Sequence, residues 1–241
     1  MDTQKVVDTQ KVAVVTGASQ GIGAALVQAF RERGYRIVAT SRSIRPSGDP
    51  DIATVAGDIA DPATAERVVA EALSRFGRID TLVNNAGIFI AKPFAEYTAD
   101  DFAAKIATNL AGFFHVTQRA ATQMLAQGSG HIVSITTSLT DHAIAGVPTA
   151  LANLTKGGIN SATKALAIEY AASGIRVNAV SPGIIATPMH APETHAFLAG
   201  LHPVKRMGEI RDVVDGVLYL ESAAFVTGEI LHIDGGQSAG H

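Results

Sequence analysis

Cysteine and tryptophan are absent from the 241 residues, and aromatic residues make up only 5%. Without cysteine the chain has no disulfides, thiolate metal sites, iron–sulfur clusters or cysteine nucleophiles. An excess of positive charge is also missing, because 19 Lys and Arg stand against 22 Asp and Glu, and this balance argues against a nucleic-acid partner. No apolar run approaches the roughly 18 residues that span a bilayer, and the polar start MDTQKVVDTQKV is not typical of a signal peptide. We therefore expect a cytoplasmic protein with no membrane partner.

Hydrophobic residues are plentiful, at 47%, and they occur in a regular order that predicts the fold. Short β-branched runs predict strands at 12–16, 36–40, 52–57, 81–84, 131–136, 175–180 and 229–233. Segments with helical periodicity alternate with them, at 21–33, 62–76, 100–127, 149–172 and 209–221. This alternation predicts an α/β fold, a Rossmann-type doubly wound parallel sheet of about seven strands with helices on both faces.

We expect one domain over residues 11–241, preceded by an extension at 1–10. The pentapeptide DTQKV occurs twice near the start, and only its second copy runs into a predicted strand. Segments of about 25 residues then recur without a boundary.

A glycine-rich turn, TGASQGIG at 16–23, joins the first strand to the first helix. A helix N-terminus offers unpaired N–H groups and the positive end of the helix dipole, and glycines let a phosphate approach the backbone closely. The turn therefore predicts a pyrophosphate-binding site.

The glycine spacing resembles that of the short-chain dehydrogenase/reductase family, together with NNAG at 84–87 and further matches through residues 11–237. Those matches are Asp58, Asn109, Lys156 with Gly157, Pro182 with Gly183, Thr187, and DGG at 234–236. The resemblance implies an oxidoreductase that transfers hydride between NADP(H) and a small carbonyl, imine or activated alkene. It also implies a substrate lid at about 184–207 and a homo-oligomer, either a dimer or a tetramer.

The expected cofactor is NADP, because the second strand ends in Thr40-Ser41-Arg42-Ser43, which has a cation and hydroxyls but no carboxylate to repel a 2′-phosphate. The resemblance extends the cofactor-binding set along the chain. Its predicted members are Gly17, Ser19, Gln20, Gly21, Ile22, Gly23, Ser41, Arg42, Asp58, Ile59, Asn85, Ala86, Gly87, Lys156, Pro182, Gly183, Ile185 and Thr187.

The catalytic residues implied by the resemblance are Asn109, Ser138 and Lys156, with Thr137 as the alternative hydroxyl. Family members generally place a proton-donating Tyr four residues before the Lys, on one helix face. Ala152 stands at that position here, and residues 139–169 contain no tyrosine. This gap is the main departure from the family pattern.

Several groups remain open as the proton donor: His142, Tyr97, Lys156 itself, or a water held by Asn109. The Thr149 hydroxyl is too weak an acid for this role. An iminium or other activated substrate would need less of an acid. Two further alternatives are a non-catalytic NADP-binding sensor or scaffold, and an engineered alanine at position 152.

Three histidines, His190, His195 and His202, lie in the expected lid. No cysteine or paired carboxylate accompanies them, so we expect solvated side chains and no metal site.

Overall fold

The structure is a computed structural model that describes residues 10–188 and 190–240. Seven strands form one sheet in the order β3-β2-β1-β4-β5-β6-β7, and every pairing is parallel. The strands are β1 Val12–Thr16, β2 Arg36–Ser41, β3 Ile52–Ala56, β4 Thr81–Asn84, β5 Gly130–Ile135, β6 Ile175–Pro182 and β7 Ile230–Ile233. The order of strands turns back between β1 and β4, which is where ligands bind in doubly wound sheets. The predicted extension at 1–10 lies, apart from residue 10, outside the described residues.

Helices cover both faces of the sheet, and the predicted fold class is confirmed. They are α1 Gly21–Glu32, α2 Pro62–Phe76, α3 Ala99–Lys105, α4 Gly112–Gln127, α5 Ala150–Tyr170, α6 His195–Gly200 and α7 Ile210–Ser222. The bounds of α2 agree with the prediction because its end signals are clear. Asp61 caps its N-terminus by accepting a hydrogen bond from Ala63 N at 2.9 Å, and Gly77 ends it in the left-handed conformation.

The two faces bury separate apolar cores. Helices α1 and α7 cover one face, where Leu26, Phe30 and Val217 pack on Val15 and the rest of that cluster. Helices α2, α4 and α5 cover the other face. Side chains of successive strand residues point to opposite faces, so the near-continuous apolar strands feed both cores.

The segment predicted as one helix at 100–127 is helical throughout, but it contains a π-helical turn that the sequence analysis did not predict. Between α3 and α4 the backbone of Ile106–Ala111 is π-helical. The wider turn adds a residue to the helix and changes where the side chains around Asn109 point, and such bulges are often found at functional sites.

A buried polar network ties together the end of the sheet opposite the glycine-rich turn. The Glu221 carboxylate, on α7, accepts hydrogen bonds from Tyr35 Oη at 2.7 Å, Thr81 Oγ1 at 3.0 Å and His131 Nδ1 at 2.7 Å. Asn178 Nδ2 donates to the other nitrogen of His131 at 3.1 Å. His131 is therefore neutral, with its proton on Nδ1, and the network connects α7 to β4, β5 and β6.

The network predicts acid sensitivity of the fold. Burial opposes ionisation of Glu221, yet the hydrogen bonds it accepts outweigh burial and lower its pKa to about 2. Burial also lowers the pKa of His131. In the unfolded chain, His131 takes up a proton near pH 6.5 and Glu221 near pH 4.5. In the folded protein both groups take up a proton only at lower pH, so the unfolded chain binds more protons in acid. The free energy of unfolding should therefore decrease as the pH is lowered. Glu221 should contribute on the order of 3 kcal/mol to this decrease between pH 4.5 and 2.

Urea unfolding of wild type, E221Q and E66Q across this pH range measures the effect. E221Q should lose the part of the pH dependence below pH 4.5. Glu66 is a matched control, because its side chain is 63% exposed and its ion pair with Arg119 lies at the surface. An E221Q protein with the wild-type pH dependence would contradict the prediction.

Candidate active site

The carboxyl ends of β1 and β4 are held together by Asn85 and Thr16. Asn85 Nδ2 donates to Thr16 O at 2.9 Å and to Gly17 O at 3.1 Å. In return, Thr16 Oγ1 accepts from the backbone N–H of Asn85 and of Ala86, both at 3.0 Å. These four bonds fix the glycine-rich turn against the NNAG segment at the switch point of the sheet.

Two glycines of the turn lie where no side chain fits. A Cβ at Gly23 would lie 2.2 Å from Gly17 O, and one at Gly17 would lie 2.9 Å from Ala86 Cα. Gly17 also has a φ of 66°. Ser19 and Gln20 are exposed at the start of α1, and the Gln20 side chain makes no capping bond within the described chain. The first N–H groups of α1 therefore face the cleft, and the turn fits a pyrophosphate.

The ends of β2 and β3 lie beside this turn and carry the predicted adenosine-side residues. Arg42 is exposed directly after β2, and Ser41 Oγ is buried without a hydrogen-bond partner among the described residues. Asp58 is exposed, and its carboxylate accepts from Ala60 N at 3.0 Å. Ile59 is buried and packs on Gly112, where an added Cβ would lie 2.7 Å from Ile59 Cγ2.

On the opposite side of the cleft, the segment after β6 approaches the glycine-rich turn. Pro182 ends β6, and Gly183 N donates to Ile233 O at 3.1 Å. Ile185 is buried and forms a parallel bridge with Gly208. Thr187 lies across from Gly21, since a Cβ added at Gly21 would meet Thr187 Cγ2 at 3.9 Å.

Asn109 and Lys156 meet at Gly87. A Cβ on Gly87 would lie 3.2 Å from Lys156 Nζ and 3.4 Å from Asn109 Oδ1. Lys156 Nζ donates to Ile135 O, at the end of β5, over 2.5 Å. Burial and then the charge of Lys105 lower the pKa of Lys156 to about 8.

The Asn109 amide is fully engaged by the protein. Its Oδ1 accepts from Ile88 N at 2.9 Å, and its Nδ2 donates to Ile88 O at 3.1 Å and to Thr155 Oγ1 at 3.3 Å. Asn109 therefore holds the segment after NNAG against α5, and its side chain has no donor left for a substrate.

The two candidate hydroxyls, Ser138 and Thr137, have different surroundings. Ser138 is completely buried, and its Oγ donates to Gln237 Oε1 at 2.6 Å. Thr137, the last residue before the short turn Ser138–Thr140, is half-buried, and its Oγ1 accepts a long bond of 3.4 Å from Leu139 N. The Ser138 hydroxyl is therefore engaged within the protein, whereas the Thr137 side chain is partly accessible.

Ala152 lies on α5 one turn before Lys156 and is 1% exposed. The side chains considered as proton donors in place of the missing tyrosine differ in their surroundings. Tyr97 Oη donates to Ile90 O at 2.8 Å and thereby holds its own loop closed. Thr149 is buried at the start of α5, and His142 is half-buried with its backbone N–H donating to Ser138 O at 3.1 Å.

The three histidines of the segment predicted as a lid are not all solvated, contrary to expectation. His202 is 1% exposed, accepts from Ile184 N at 2.9 Å through Nε2, and bonds Leu198 O through Nδ1 at 3.1 Å. It thus joins the start of the segment at 184–207, directly after β6, to the end of α6. Over residues 10–188 and 190–240, no group of three or more His, Asp or Glu side chains could hold a metal ion. In the same residues, no helix is long and apolar enough to cross a membrane.

Sequence reasoning missed Lys105, at the C-terminal end of α3. Its side chain is completely buried, and its Nζ has no hydrogen-bond partner in the described chain. The Nζ lies over the Phe89 ring, 5.0 Å from the ring centroid. The available signal was a lysine four residues before Asn109, on the same stretch of helix.

A family profile described as enoyl-(acyl carrier protein) reductase matches residues 17–238. The chain belongs to the short-chain dehydrogenase/reductase family. Glucose 1-dehydrogenase of Gluconobacter oxydans is 34% identical over 246 residues, covering 94% of this chain and 91% of its own length. Acetoacetyl-CoA reductase of an Acinetobacter strain is 37% identical over 243 residues, covering 94% and 97%.

Among solved structures, that of ElxO with NADP bound superimposes with a TM-score of 0.88 at 31% identity, covering 96% of this chain and 100% of ElxO. The family resemblance indicated by the motifs is confirmed, and the short-chain dehydrogenase/reductase family is one of oxidoreductases.

The close contacts of Gly23 predict a strongly destabilising substitution. G23A should lower the free energy of unfolding by about 1–3 kcal/mol, because its Cβ would collide with Gly17 O and Asn85 Nδ2. Gly48 has no atom within 4 Å of an added Cβ, so G48A is the matched control and should unfold like wild type. Urea denaturation compares the three proteins, and equal midpoints for G23A and wild type would refute the assignment of this tight turn.

Proposed function

We propose that the protein is an NADPH-dependent reductase of small carbonyl, imine or activated alkene substrates, with a proton donor other than tyrosine. The observation that carries the proposal is the meeting of Asn109 and Lys156 at Gly87, beside the glycine-rich turn. We therefore expect the substrate to bind beside Asn109 and Lys156, at the carboxyl ends of the strands.

The proposed cofactor site runs along the carboxyl ends of the strands. The turn at Gly17–Gly23 would bind the pyrophosphate, and Asn85 keeps that turn in place. Ser41 and Arg42 would bind a 2′-phosphate, because the orphaned hydroxyl and the exposed guanidinium suit an anion. The ElxO structure, solved with NADP, supports this choice. When bound, the reduced nicotinamide supplies a hydride.

Lys156 is proposed to hold the ribose next to the nicotinamide. Its Nζ donates to Ile135 O, and an ammonium has three N–H donors, so two further donors can reach a ligand. A small cavity of about 10 Å³ lies beside it, lined also by Asn84 and Asn109. A cavity of this volume has room for about one water molecule. Asn84 Oδ1 has no hydrogen-bond partner among the described residues and could accept a hydrogen bond from such a water.

Thr137 is proposed to orient the substrate oxygen, and the segment at 184–207 to close over the substrate. Closure would exclude water and so strengthen hydrogen bonds to the substrate. Ala152 leaves the choice of substrate open among classes that differ in their need for an acid. An iminium carries its charge already, whereas a ketone needs a proton at its oxygen.

A homo-oligomer, dimer or tetramer, is also proposed. Helices α4 and α5 carry large apolar side chains at the surface: Phe114 at 54% exposed, Leu125 at 43%, Leu154 at 57% and Ile168 at 81%. Phe114 and Leu125 share a face of α4, and exposed apolar patches of this kind mark protein–protein contacts. A second copy of the chain would cover them.

Arg42 should determine the preference for NADPH over NADH. R42A should weaken NADPH binding roughly tenfold to a hundredfold, because a charged hydrogen bond to the 2′-phosphate is lost, and should leave NADH binding unchanged. R211A is a control, since Arg211 is 84% exposed on α7 and pairs with Asp215. Fluorescence titration measures both affinities. Equal losses for NADPH and NADH would exclude a 2′-phosphate contact.

The reductase proposal is tested by NADPH oxidation against ketones, diketones, enones and cyclic imines, with wild type, T137V and S138A. Wild type should turn over at least one class. T137V should lower kcat about a hundredfold, because a donor to the developing oxyanion is lost. S138A should keep kcat and lower the free energy of unfolding by about 1 kcal/mol through the broken bond to Gln237. Wild type that binds NADPH but oxidises it with no substrate would instead indicate the non-catalytic sensor or scaffold.

A further inference from the structure

His202 is buried where the chain returns from α6 to the start of the segment at 184–207. Its side chain is 1% exposed, and its Nε2 accepts a hydrogen bond from Ile184 N at 2.9 Å. Its Nδ1 bonds Leu198 O at 3.1 Å, and because a carbonyl oxygen can only accept, Nδ1 carries the proton. His202 is therefore a neutral imidazole whose tautomer is set by its partners at both nitrogens.

The hydrogen bond from Ile184 reaches the part of the chain that is proposed to bind the cofactor. Ile184 directly follows Gly183, a predicted cofactor-binding residue. The neighbouring backbone groups are held by main-chain bonds, since Gly183 N donates to Ile233 O at 3.1 Å and Gly208 N donates to Ile184 O at 3.0 Å. The acceptor for Ile184 N is instead the side chain of His202, so the path of the chain at this point depends on that ring.

The ring also packs directly on the same segment. A Cβ on Gly183 would lie 2.7 Å from His202 Nε2, and one on Gly235 would lie 3.6 Å from His202 Cβ. A leucine at position 202 would supply apolar packing, but it would leave the N–H of Ile184 without this acceptor. The histidine therefore contributes a hydrogen bond that packing alone does not replace.

The charges around His202 act on it in opposite directions. The ring borders an open cavity of about 380 Å³, where the carboxylate of Asp234 favours its protonated form and the guanidinium of Arg206 opposes it. The other charged groups nearby have partners of their own: Asp212 with Arg206 at 2.8 Å, Asp215 with Arg211 at 3.5 Å, His232 with Asp141 at 3.1 Å, and Lys205 with Gly200 O at 3.4 Å.

Protonation of His202 would remove the acceptor of Ile184. Burial is the largest influence on the ring and lowers its pKa from 6.5, so it is neutral near pH 7 and takes up a proton only in acid. An imidazolium has N–H donors at both nitrogens, and its Nε2–H would then face the N–H of Ile184. Two donors in contact repel each other, and Ile184 would move away together with Gly183.

We propose that His202 is a positioning residue, which holds residues 183–185 in their cofactor-binding conformation while it is neutral and releases them in acid. This inference rests on the proposed NADPH-dependent function. The ring does not itself need to touch the cofactor or the substrate. The affinity for NADPH should therefore follow the protonation of a side chain that acts only through Ile184 and Gly183.

The test is the pH dependence of NADPH affinity, measured by fluorescence titration between about pH 5 and 8. Wild type is compared with H202Q, H202L and H232Q. Glutamine offers an amide oxygen in place of Nε2 and does not ionise in this range, whereas leucine offers no acceptor. H232Q is the matched control, because His232 lines the same cavity but is exposed and pairs with Asp141.

H202Q should bind NADPH as tightly as wild type near pH 8 and increasingly more tightly than wild type as the pH falls below 6.5, by about threefold or more near pH 5. H202L should bind about tenfold more weakly than wild type at pH 8, because a hydrogen bond that holds the site is lost. H232Q should match wild type throughout. The 2′-phosphate of the cofactor also takes up a proton near about pH 6, but it does so with all four proteins, so their differences isolate His202.

The histidine rings of the cofactor-free protein provide a readout that does not depend on the cofactor. In ¹⁵N NMR spectra, the ring signals that are missing from H202Q should be those of a neutral imidazole near pH 7, with its proton on Nδ1. A ring that is protonated at this pH, or that carries its proton on Nε2, would overturn the proposal.

The binding results separate this inference from the reductase proposal. The same pH dependence of NADPH affinity in wild type and H202Q overturns the role of His202 and leaves the reductase proposal standing, as does a change that H232Q shares equally. The comparison with H202Q decides the matter even where H202L fails to fold. Wild type that binds NADPH but reduces no substrate overturns the reductase only, and wild type that binds no NADPH overturns both.

Discussion

The hydrogen bonds from Asn85 to Thr16 and Gly17 are the constraint on which the site depends. They join the ends of two strands that are adjacent in the sheet but 69 residues apart along the chain. A crevice opens at the switch point between β1 and β4, and these hydrogen bonds hold the glycine-rich turn at its edge. The same bonds fix the start of the segment that contains Gly87, and Asn109 and Lys156 lie against that glycine.

The fold was predictable because its signals are local and repeated. Strand β1 and helix α2 have the predicted bounds, since Gly, Pro and Asp fix their ends. The π-helical turn within the helix at 99–127 was not predictable, because it needs only one extra residue and leaves no mark in the apolar pattern. Tertiary packing, rather than propensity, selects it.

The site was predictable in part, because a motif identifies which segments meet but not where each side chain points. Ser138 and Thr137 are adjacent in sequence, and only the position of Gln237, 99 residues away, decides which hydroxyl is sequestered. Likewise, His202 is buried and accepts a hydrogen bond from Ile184 N, 18 residues earlier, and this contact leaves no signal in the local sequence. Lys105 was missed because a lysine in an amphipathic helix is ordinarily assigned to the solvated face.

The π-helical turn also sets the angular phase between α3 and α4. An α-helix advances about 100° per residue, so the extra residue at Ile106–Ala111 rotates everything before it relative to everything after it. The face of α3 that carries Lys105 is therefore set independently of the face of α4 that packs on the sheet. Insertion or loss of one residue there would redirect the whole of α3 around its axis, while the seven-stranded scaffold stayed as it is. The chain thus contains a single-residue adjustment by which the cleft can be remodelled without touching its core.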